Sequence, residues 1–400
     1  MSSAPKTDFN PFDPEQIRDP YPAYRRLRDE TPIAYSPAVH CYLVARHADV
    51  EALFLDPNGF SSAAMASTLG GESGPQTSEN TGNVLQTTDP PEHDALRRIV
   101  NRGFTPRAMA AMRSRAREVV DEGIGRVVAA VPGQVVDLVQ LLSSRVPIVM
   151  IAELLGIERE RHSDFRRWSN AIAESIWAKG GRDATREVAE LDAYLDRTVA
   201  AKARTPGDDV ISKLIHASGD DAGVLRSSEI HPFVTSLLVA GYETTANLIS
   251  NCVLALVRDP ALAQEVAADR ALVPAFVEET LRHDGPIQLL MRRTTGAREL
   301  AGVEIPAGAM VIPILGSANR DERQFRDPDR FDLRREERAH LGFGQGIHFC
   351  LGASLARLEA QEALDAYLDV FEELEWLGDA YENVSALMMR GPRTLRFRRR

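Results

Sequence analysis

The sequence predicts a mainly helical fold with a smaller β-rich region. Apolar residues recur at helical spacing through most of the stretch from residue 92 to about residue 284. Two short apolar segments follow, ELAGVEIPAG and AMVIPILGS, and glycine and proline turn signals bound them as they bound strands. The chain ends in a third candidate strand, TLRFRRR. Because neither a repeat nor a clean linker interrupts this order, we expect one domain over residues 1–400.

The elements before residue 92 are short. The segment from Pro22 to Glu30 is predicted as a helix that Thr31-Pro32 closes. CYLVARHADVEALF predicts a strand followed by a helix. Residues 60–90 then break the pattern with many Ser, Gly, Thr and Asn residues. Such a long irregular insert is either a lid or binding loop, or a disordered surface loop.

Two longer helices are predicted near the candidate site. One apolar helix runs from about Ser228 to Arg258, and the last helix runs from a glycine-rich loop to about Leu368. The first of them carries polar residues that a purely structural helix would not need, as described below.

Composition and charge exclude several classes of protein. Of the 400 residues, 44% are hydrophobic, and the formal net charge of −11 argues against nucleic acid as the main partner. The three cysteines give no disulfide framework and fit a reducing compartment. The first twenty residues are polar and proline-rich, and no apolar run reaches the ~20 residues that span a bilayer. We therefore expect a cytoplasmic monomer without membrane contact.

One cysteine lies in the most informative segment, FGQGIHFCLG at residues 343–352. Cys350 follows a glycine-rich loop and precedes a predicted helix. Gly344 and Gly346 allow a tight turn whose N–H groups can point at the sulfur, and the helix adds its positive end. Both effects lower a thiol pKa and stabilise a bound thiolate. Gly352 and Ala353 are too small to hold a flat ligand away from the sulfur.

FGQGIHFCLGASLAR closely resembles the haem-binding signature of the cytochrome P-450 monooxygenases. The match includes Phe343, both turn glycines, His348 and the Leu351-Gly352 pair. The resemblance implies the cytochrome P-450 fold over essentially the whole chain, haem b as the cofactor and Cys350 as the axial ligand of its iron, with Phe343, Gly344, Gly352 and Ala353 beside the haem. The alternatives are a structural cysteine or a zinc site, but the other two cysteines are far away in sequence and no CxxC motif exists.

A second motif, AGYETT at residues 240–245, lies inside the long apolar helix. A mid-helix glycine costs ~1 kcal/mol against alanine, and a buried glutamate is costly unless it is satisfied. Thr244 can bond back to the carbonyl of Ala240 and loosen the helix, which would open a groove for O₂. AGYETT resembles the acid–alcohol pair of the family's oxygen-binding helix, which implies that Glu243 and Thr244 deliver protons.

A third motif, Glu279-Thr280-Leu281-Arg282, is weak by itself. Residues three apart share a helix face, and such charged pairs are usually exposed. Together with RFRDPDRF at residues 325–332, the motif resembles the structural triad of the family. Glu279, Arg282 and Arg330 would then form a buried network that supports the cysteine loop.

Haem carries two propionates, which need cationic or hydrogen-bonding partners. His93 and Arg97 are four residues apart and share a helix face. His348 lies beside the cysteine, and Arg292 follows the Glu279 helix. All four positions match propionate-binding residues of related bacterial enzymes, and Arg293 is the rival of Arg292.

On this resemblance, the expected function is that of a haem-thiolate monooxygenase that uses O₂ to hydroxylate or epoxidise a largely hydrophobic small molecule. A haem-binding sensor or carrier without turnover would not need Glu243 and Thr244, and a peroxide-driven hydroxylase typically departs from that pair. The candidate substrate contacts are Val239, Ala240, Ile287, Leu289, Leu290 and Met389.

No G-x-G-x-x-G follows a predicted strand, so electrons must come from separate proteins, plausibly a ferredoxin and its reductase. Seven arginines and no acidic residue occupy residues 97–117. They are either solvated helix faces or a docking patch for an acidic ferredoxin, with Arg98, Arg102 and Arg113 as the candidate contacts.

Overall fold

The structure is a computed structural model that describes residues 4–63, 84–101, 103–177, 183–217, 227–378 and 388–400. Arg102 and most of the irregular insert, residues 64–83, lie outside the described residues. The α-helices of the described ranges, labelled in chain order, are α1 (Pro14–Arg18), α2 (Tyr21–Glu30), α3 (His47–Leu55), α4 (Glu92–Asn101), α5 (Pro106–Val128), α6 (Arg145–Leu155), α7 (His162–Trp177), α8 (Thr185–Arg204), α9 (Val210–Ala217), α10 (Ser227–Arg258), α11 (Pro260–Ala268), α12 (Val273–His283), α13 (Leu315–Ala318) and α14 (Ala353–Tyr367).

The strands are few and short. They are β1 (Ile33–Ser36), β2 (Cys41–Val44), β3 (Phe60–Ser61), β4 (Val135–Asp137), β5 (Arg292–Thr294), β6 (Arg298–Leu300), β7 (Val303–Ile305), β8 (Met310–Pro313), β9 (Leu374–Trp376) and β10 (Arg396–Arg399). The prediction of a mainly helical fold with a smaller β-rich region is therefore confirmed, and so are the strand and helix in CYLVARHADVEALF and the C-terminal strand.

The strands form three sheets. The largest has the order β1-β2-β8-β5-β3, with β2 and β8 parallel and the other pairs antiparallel. β10 pairs with β4 and β9 in a second sheet, and β6 and β7 form a hairpin. Successive residues of a strand face opposite sides of a sheet. Accordingly, Leu43 and Ile312 pack into one small core, while Tyr42, Val44 and Val311 pack into another.

The main hydrophobic core lies among the helices. α10 packs against α6 and α14, and α14 also packs against α5 and α12. Local signals set the ends of several helices. The Asp259 side chain caps the start of α11, where it accepts hydrogen bonds from Ala261 N and Leu262 N, each 3.1 Å long. At its C-terminal end, α6 stops at Gly156, whose φ of +69° favours glycine. This packing places the middle of α10 opposite the start of α14.

No helix in the described ranges has both the length and the apolar character needed to cross a membrane. This finding agrees with the absence of a long apolar run in the sequence.

Candidate active site

A large cavity lies between the middle of α10 and the loop that leads into α14. It contains about 1490 Å³ of space free of protein atoms, part of it continuous with solvent. The cysteine loop, residues 342–352, forms one wall, and residues of α10 form the opposite wall. Segments distant in sequence, from Phe54 to Glu359, close the sides. Because most of the lining side chains are apolar, the cavity suits a hydrophobic ligand.

The cysteine loop takes its shape from two glycines with left-handed backbones. Gly344 has φ +70° and Gly346 has φ +71°, which favour glycine. A Cβ on Gly346 would also lie 2.5 Å from the carbonyl oxygen of Phe54, so α3 packs directly onto the loop. The turn closes with a hydrogen bond of 2.9 Å from Cys350 N to Phe343 O. Cys350 therefore faces the cavity just before α14 begins.

The pKa of Cys350 differs from the sequence expectation. Burial raises the pKa of the thiol above its usual value, while the Gly352 N–H, Arg97 and Arg357 lower it. The prediction that the pKa of Cys350 is lowered is therefore wrong for the chain alone. Burial of the thiol raises its pKa more than the N–H group and the two arginines lower it. A metal cation at the sulfur would add the missing stabilisation of the thiolate.

The polar groups around the cavity fit a flat cofactor that carries two carboxylates. His93 Nε2 and His348 Nε2 are buried and have no hydrogen-bond partner among the described residues. The two rings lie 4.4 Å apart, and His348 lines the cavity with Arg97 and Arg292. Burial and these neighbouring cations lower the pKa of His348 to about 3, so its ring is neutral. Carboxylates placed here would balance the positive charge of Arg97 and Arg292 and accept a hydrogen bond from the His348 ring.

Gly352 provides the room that such a flat group needs. A Cβ on Gly352 would have no neighbour within 4 Å, so the space beside it is open. Phe343 and Gly344 also line the cavity. Ala353 does not, because it is the first residue of α14 and is buried against the protein, with 3% of its surface exposed.

The structure distinguishes between the two neighbouring arginines at the start of β5. Arg292 is buried, lines the cavity and places its guanidinium carbon 5.4 Å from the centre of the Phe54 ring. Burial lowers its pKa to about 10. Arg293 points to the other side of the strand and is exposed. The choice of Arg292 thus agrees with the alternation of a strand.

Thr244 lies on the cavity face of α10. Its hydroxyl donates a hydrogen bond of 2.7 Å to the carbonyl oxygen of Ala240, as the sequence predicts. Ala240, Gly241 and Thr244 all line the cavity. A Cβ on Gly241 would lie 3.3 Å from Ile151 Cδ1, so the glycine allows α6 to approach α10 closely. The Thr244 hydroxyl therefore faces the groove, and its own proton is already engaged in the hydrogen bond to Ala240.

Glu243 lies beside this face and does not line the cavity. Its Oε2 atom is buried without a hydrogen-bond partner in the described chain. Burial raises the pKa of Glu243 to about 7, and Arg393 opposes the shift. The acid and the alcohol are therefore adjacent in sequence, but they face different surroundings.

The sequence did not reveal a second buried carboxyl, Glu359 on α14. Its side chain lines the cavity, only 2% of its surface is exposed, and its Oε2 has no partner in the described ranges. Burial raises its pKa well above the usual range, which favours the protonated form of this carboxyl. The helical periodicity gave no signal for it, because Glu359 resembles any other polar position of the helix.

A clamp beneath the cysteine loop was also missed. The Arg357 side chain binds both oxygens of Glu278, with Nε 2.7 Å from Oε1 and Nη2 2.9 Å from Oε2. The guanidinium carbon lies 4.4 Å from the centre of the Phe343 ring. His340 contacts the same carboxylate at 3.1 Å, and these partners lower the pKa of Glu278 to about 2. Arg357 is part of the matched motif, which was the available signal.

The predicted structural triad requires one correction. Glu279 and Arg282 are paired as expected, with Arg282 Nε 2.8 Å from Oε2 and Nη2 2.7 Å from Oε1. The third side chain is Arg335, whose Nε lies 3.2 Å from Glu279 Oε1. Arg330 is exposed and contributes only its carbonyl oxygen, which accepts hydrogen bonds of 3.0 Å from both Arg282 and Arg335.

This network supports the cysteine loop through Asn319. Arg282 Nη1 donates a hydrogen bond of 2.9 Å to the Asn319 carbonyl, and the Asn319 side chain accepts one of 2.7 Å from Leu341 N. Leu341 directly precedes the loop wall. The predicted scaffold role therefore has a physical route, although one member was misassigned.

The predicted substrate contacts are divided between the cavity and the core. Ala240, Ile287 and Leu290 line the cavity, whereas Val239, Leu289 and Met389 are not among the described residues that line it. Val239 packs on the main core and Leu289 on one side of the large sheet. The periodicity of α10 could have identified the further apolar contacts, which are Phe233, Leu237 and Leu248.

Three arginines at the C-terminal end of the arginine-rich segment form ion pairs with acidic residues outside it. Arg113 pairs with Glu362 on α14, Arg115 with Glu118 and Glu153, and Arg117 with Asp121 and Asp365. Arg98 is exposed and has no ion-pair partner within the ranges that the structure describes.

Residues 40–376 match the sequence model of the Cytochrome P450 family. The chain is 37% identical over 384 residues to cytochrome P450 107B1 of Saccharopolyspora erythraea, covering 94% of this chain and 93% of the relative. It is 39% identical over 380 residues to the cyclomarin C epoxidase CymV of Salinispora arenicola, covering 93% and 94%. The solved structure of CYP109E1 from Bacillus megaterium in complex with corticosterone superimposes with a TM-score of 0.84 at 31% identity, over 96% of this chain and 99% of that one. The chain therefore belongs to the bacterial-type cytochrome P450 family and is a haem b monooxygenase that uses O₂ to oxidise a hydrophobic small molecule.

Proposed function

We propose that Cys350 is the axial ligand of the haem iron and that His93, Arg97, Arg292 and His348 hold the two propionates. One observation carries this assignment. The cavity brings the cysteine, two arginines and a histidine to a single space, next to two buried imidazole nitrogens without partners. Phe343, Gly344 and Gly352 would contact the flat face of the cofactor. Haem b with a thiolate ligand supplies the chemistry that activates O₂.

Thr244 is proposed to position the proton-delivery path. Because its hydroxyl proton is given to the Ala240 carbonyl, its oxygen lone pairs remain free to accept a hydrogen bond from a group in the cavity. A water molecule or a protonated ligand could occupy that position. Thr244 would thereby fix the direction from which a proton arrives.

Glu243 is proposed to supply that proton. Its pKa of about 7 allows the carboxyl both to hold and to release a proton near neutral pH. Since Glu243 does not line the cavity, the proton must pass through a side-chain movement or through water. Arg393 lies near enough to lower this pKa and marks the side from which solvent protons would be drawn.

The proposed reaction is hydroxylation or epoxidation of a largely apolar molecule that carries oxygen functions. The lining of the cavity supports the apolar part. The named relatives support the rest, since one is a cyclomarin C epoxidase and another was solved with corticosterone.

Electrons are proposed to come from a ferredoxin and its reductase. Arg98 is the best supported contact, because it is exposed, has no ion-pair partner among the described residues and is adjacent to Arg97 at the cavity. Arg113 forms an ion pair with Glu362, so it is a weaker candidate for a ferredoxin contact. We also propose that the chain is one domain and acts as a cytoplasmic monomer, since segments from Phe54 to Glu359 jointly form the cavity.

The test is turnover under ¹⁸O₂ with a ferredoxin, its reductase and NAD(P)H, using a panel of apolar compounds. We expect products that carry one ¹⁸O atom, with oxidation dependent on the electron donors. Omitting the ferredoxin is the control. Products that carry oxygen from water, or full activity without the electron donors, would overturn the proposal.

A further inference from the structure

One polar side chain interrupts the apolar wall opposite the cysteine loop. Gln86 lines the cavity among Leu85, Phe233, Leu237 and Ile287. Apart from the proposed haem partners, the cysteine loop and Glu359, the other polar residues that line the described cavity are Thr244 and Thr245 on α10. An amide in such a wall is costly unless it has a partner.

Two contacts with Ser236 fix the amide of Gln86. Its Nε2 donates a hydrogen bond of 3.4 Å to the Ser236 carbonyl oxygen, and its Oε1 accepts one from the Ser236 hydroxyl. A carbonyl oxygen can only accept, so the amide atom beside it must be the nitrogen. The chemistry of Ser236 therefore determines which way the amide faces.

This anchoring leaves half of the amide's hydrogen-bonding capacity unused. An amide nitrogen has two N–H groups and an amide oxygen has two lone pairs, and Ser236 takes one of each. Within the part of the chain that the structure describes, one donor and one acceptor therefore remain on a side chain that lines the cavity. A neutral hydroxyl or carbonyl matches this pair, whereas a charged group would find no counter-charge on Gln86.

The helix sets the distance between this amide and the oxygen groove. Ser236 and Thr244 belong to the same continuous helix, α10, and lie eight residues apart. At a rise of about 1.5 Å per residue, they are separated by roughly 12 Å along its axis. Thr244 itself lines the cavity, whereas Ser236 adjoins it through Gln86, which also lines it.

We propose that Gln86 determines substrate specificity by binding a neutral hydroxyl or carbonyl group at the end of the substrate remote from the oxidised carbon. Because Ser236, the anchor of Gln86, is separated from Thr244 by roughly 12 Å along the α10 axis, the bound oxygen function would lie far from the carbon that reacts beside Thr244. The substrate is therefore an elongated, mostly apolar molecule with an oxygen function at its far end. This inference rests on the proposed placement of haem opposite Thr244.

Binding can be tested without turnover by titrating the haem-loaded enzyme and following the shift of the iron to high spin. The probes are 1-decanol and 1-fluorodecane, which have nearly the same shape but differ in the O–H group. In Gln86→Leu, we expect the affinity for 1-decanol to fall about three- to tenfold, while the affinity for 1-fluorodecane stays within about twofold. Ser236→Ala should lower the affinity for 1-decanol by a smaller factor and leave that for 1-fluorodecane unchanged. This variant keeps the Gln86 amide but removes the hydroxyl that holds it in place.

Leu237→Ala is the matched control, because it removes an apolar contact from the same wall and should weaken both ligands by similar factors. An unchanged preference for the alcohol in Gln86→Leu would overturn the inference. Gln86→Met provides a second variant if Gln86→Leu loses haem. A wild-type enzyme without the thiolate CO spectrum would refute the proposed haem ligation instead, so the two failures are distinguishable.

Discussion

The hydroxyl of Thr244 donates a 2.7 Å hydrogen bond to the carbonyl oxygen of Ala240, one turn earlier in α10. The bond places the threonine oxygen at the cavity surface with its lone pairs available. It also competes with the backbone hydrogen bond of the helix for the Ala240 carbonyl, which loosens α10 beside the cavity.

Replacing Thr244 with alanine should leave haem and substrate binding intact but divert reducing equivalents to hydrogen peroxide. The reason is the loss of a hydrogen-bond acceptor in the proton path. The measurement is product formed per NAD(P)H consumed, with peroxide determined in parallel. Thr244→Ser retains the hydroxyl and should preserve most of the coupling, and an unchanged ratio in Thr244→Ala would exclude the proposed role.

Glu243 should make both turnover and stability depend on pH. The folded protein keeps its proton up to about pH 7, whereas an ordinary carboxyl, as in the unfolded chain, loses it near 4.5. The folded state therefore binds more protons between these values, and the contribution of Glu243 to the free energy of unfolding falls as pH rises through that window. Glu243→Gln should raise Tm relative to wild type near pH 8 and much less near pH 5, while slowing turnover. A Tm difference that is independent of pH would contradict the assignment.

Cys350→His should abolish the strongly red-shifted Soret band of the reduced, CO-bound protein, because that band reports thiolate ligation. Cys252→Ser is the matched control, since Cys252 is buried in the main core and should not alter the band. Persistence of the band in Cys350→His would mean that another residue ligates the iron.

Arg335→Ala should destabilise the protein by about 3–5 kcal/mol, because it removes a buried partner of Glu279. Arg330→Ala should change stability by about 0.5 kcal/mol or less, since its exposed side chain is dispensable and its carbonyl remains. Thermal unfolding and haem retention measure both variants. If both variants lost the same amount of stability, the Arg330 side chain would have to be counted as part of the network.

Arg98→Glu should slow reduction by an acidic ferredoxin several-fold at low salt. The difference should shrink near physiological ionic strength, where the Debye length is about 8 Å. Arg113→Glu should have a smaller effect, because Glu362 already neutralises Arg113. Arg186→Glu, with the same change in net charge on the exposed face of α8, is the control. If Arg98→Glu and Arg186→Glu give the same second-order rate, Arg98 is only a solvated residue.

The parts of the fold and site that the sequence predicts correctly depend on local signals. Gly344 and Gly346 predict the turn before Cys350. The hydrogen bond from the Thr244 hydroxyl to the Ala240 carbonyl follows from the four-residue spacing of the two residues. The preference for Arg292 over Arg293 rests on its spacing to Gly302-Val303, and in the structure Arg292 is the one that lines the cavity. Each of these signals lies within a short stretch of the chain, so the local sequence is enough to predict it.

The remainder depends on contacts between distant segments. The acids that neutralise the arginine-rich segment include Glu362 on α14, which no local pattern connects to Arg113. The choice between Arg330 and Arg335 depends on how the loop of residues 326–335 folds over Glu279. The raised pKa of the Cys350 thiol likewise reflects a cavity that forms only in three dimensions.

The walls of the cavity come from Phe54 at one end of the sequence to Glu359 near the other. Contacts of such large sequence separation form late in folding, after the costly closure of long loops. A nascent chain therefore cannot hold the cofactor until almost all of it has left the ribosome. Since a ligand that binds only the native state stabilises it by mass action, the yield of intact protein should rise with the supply of haem during expression.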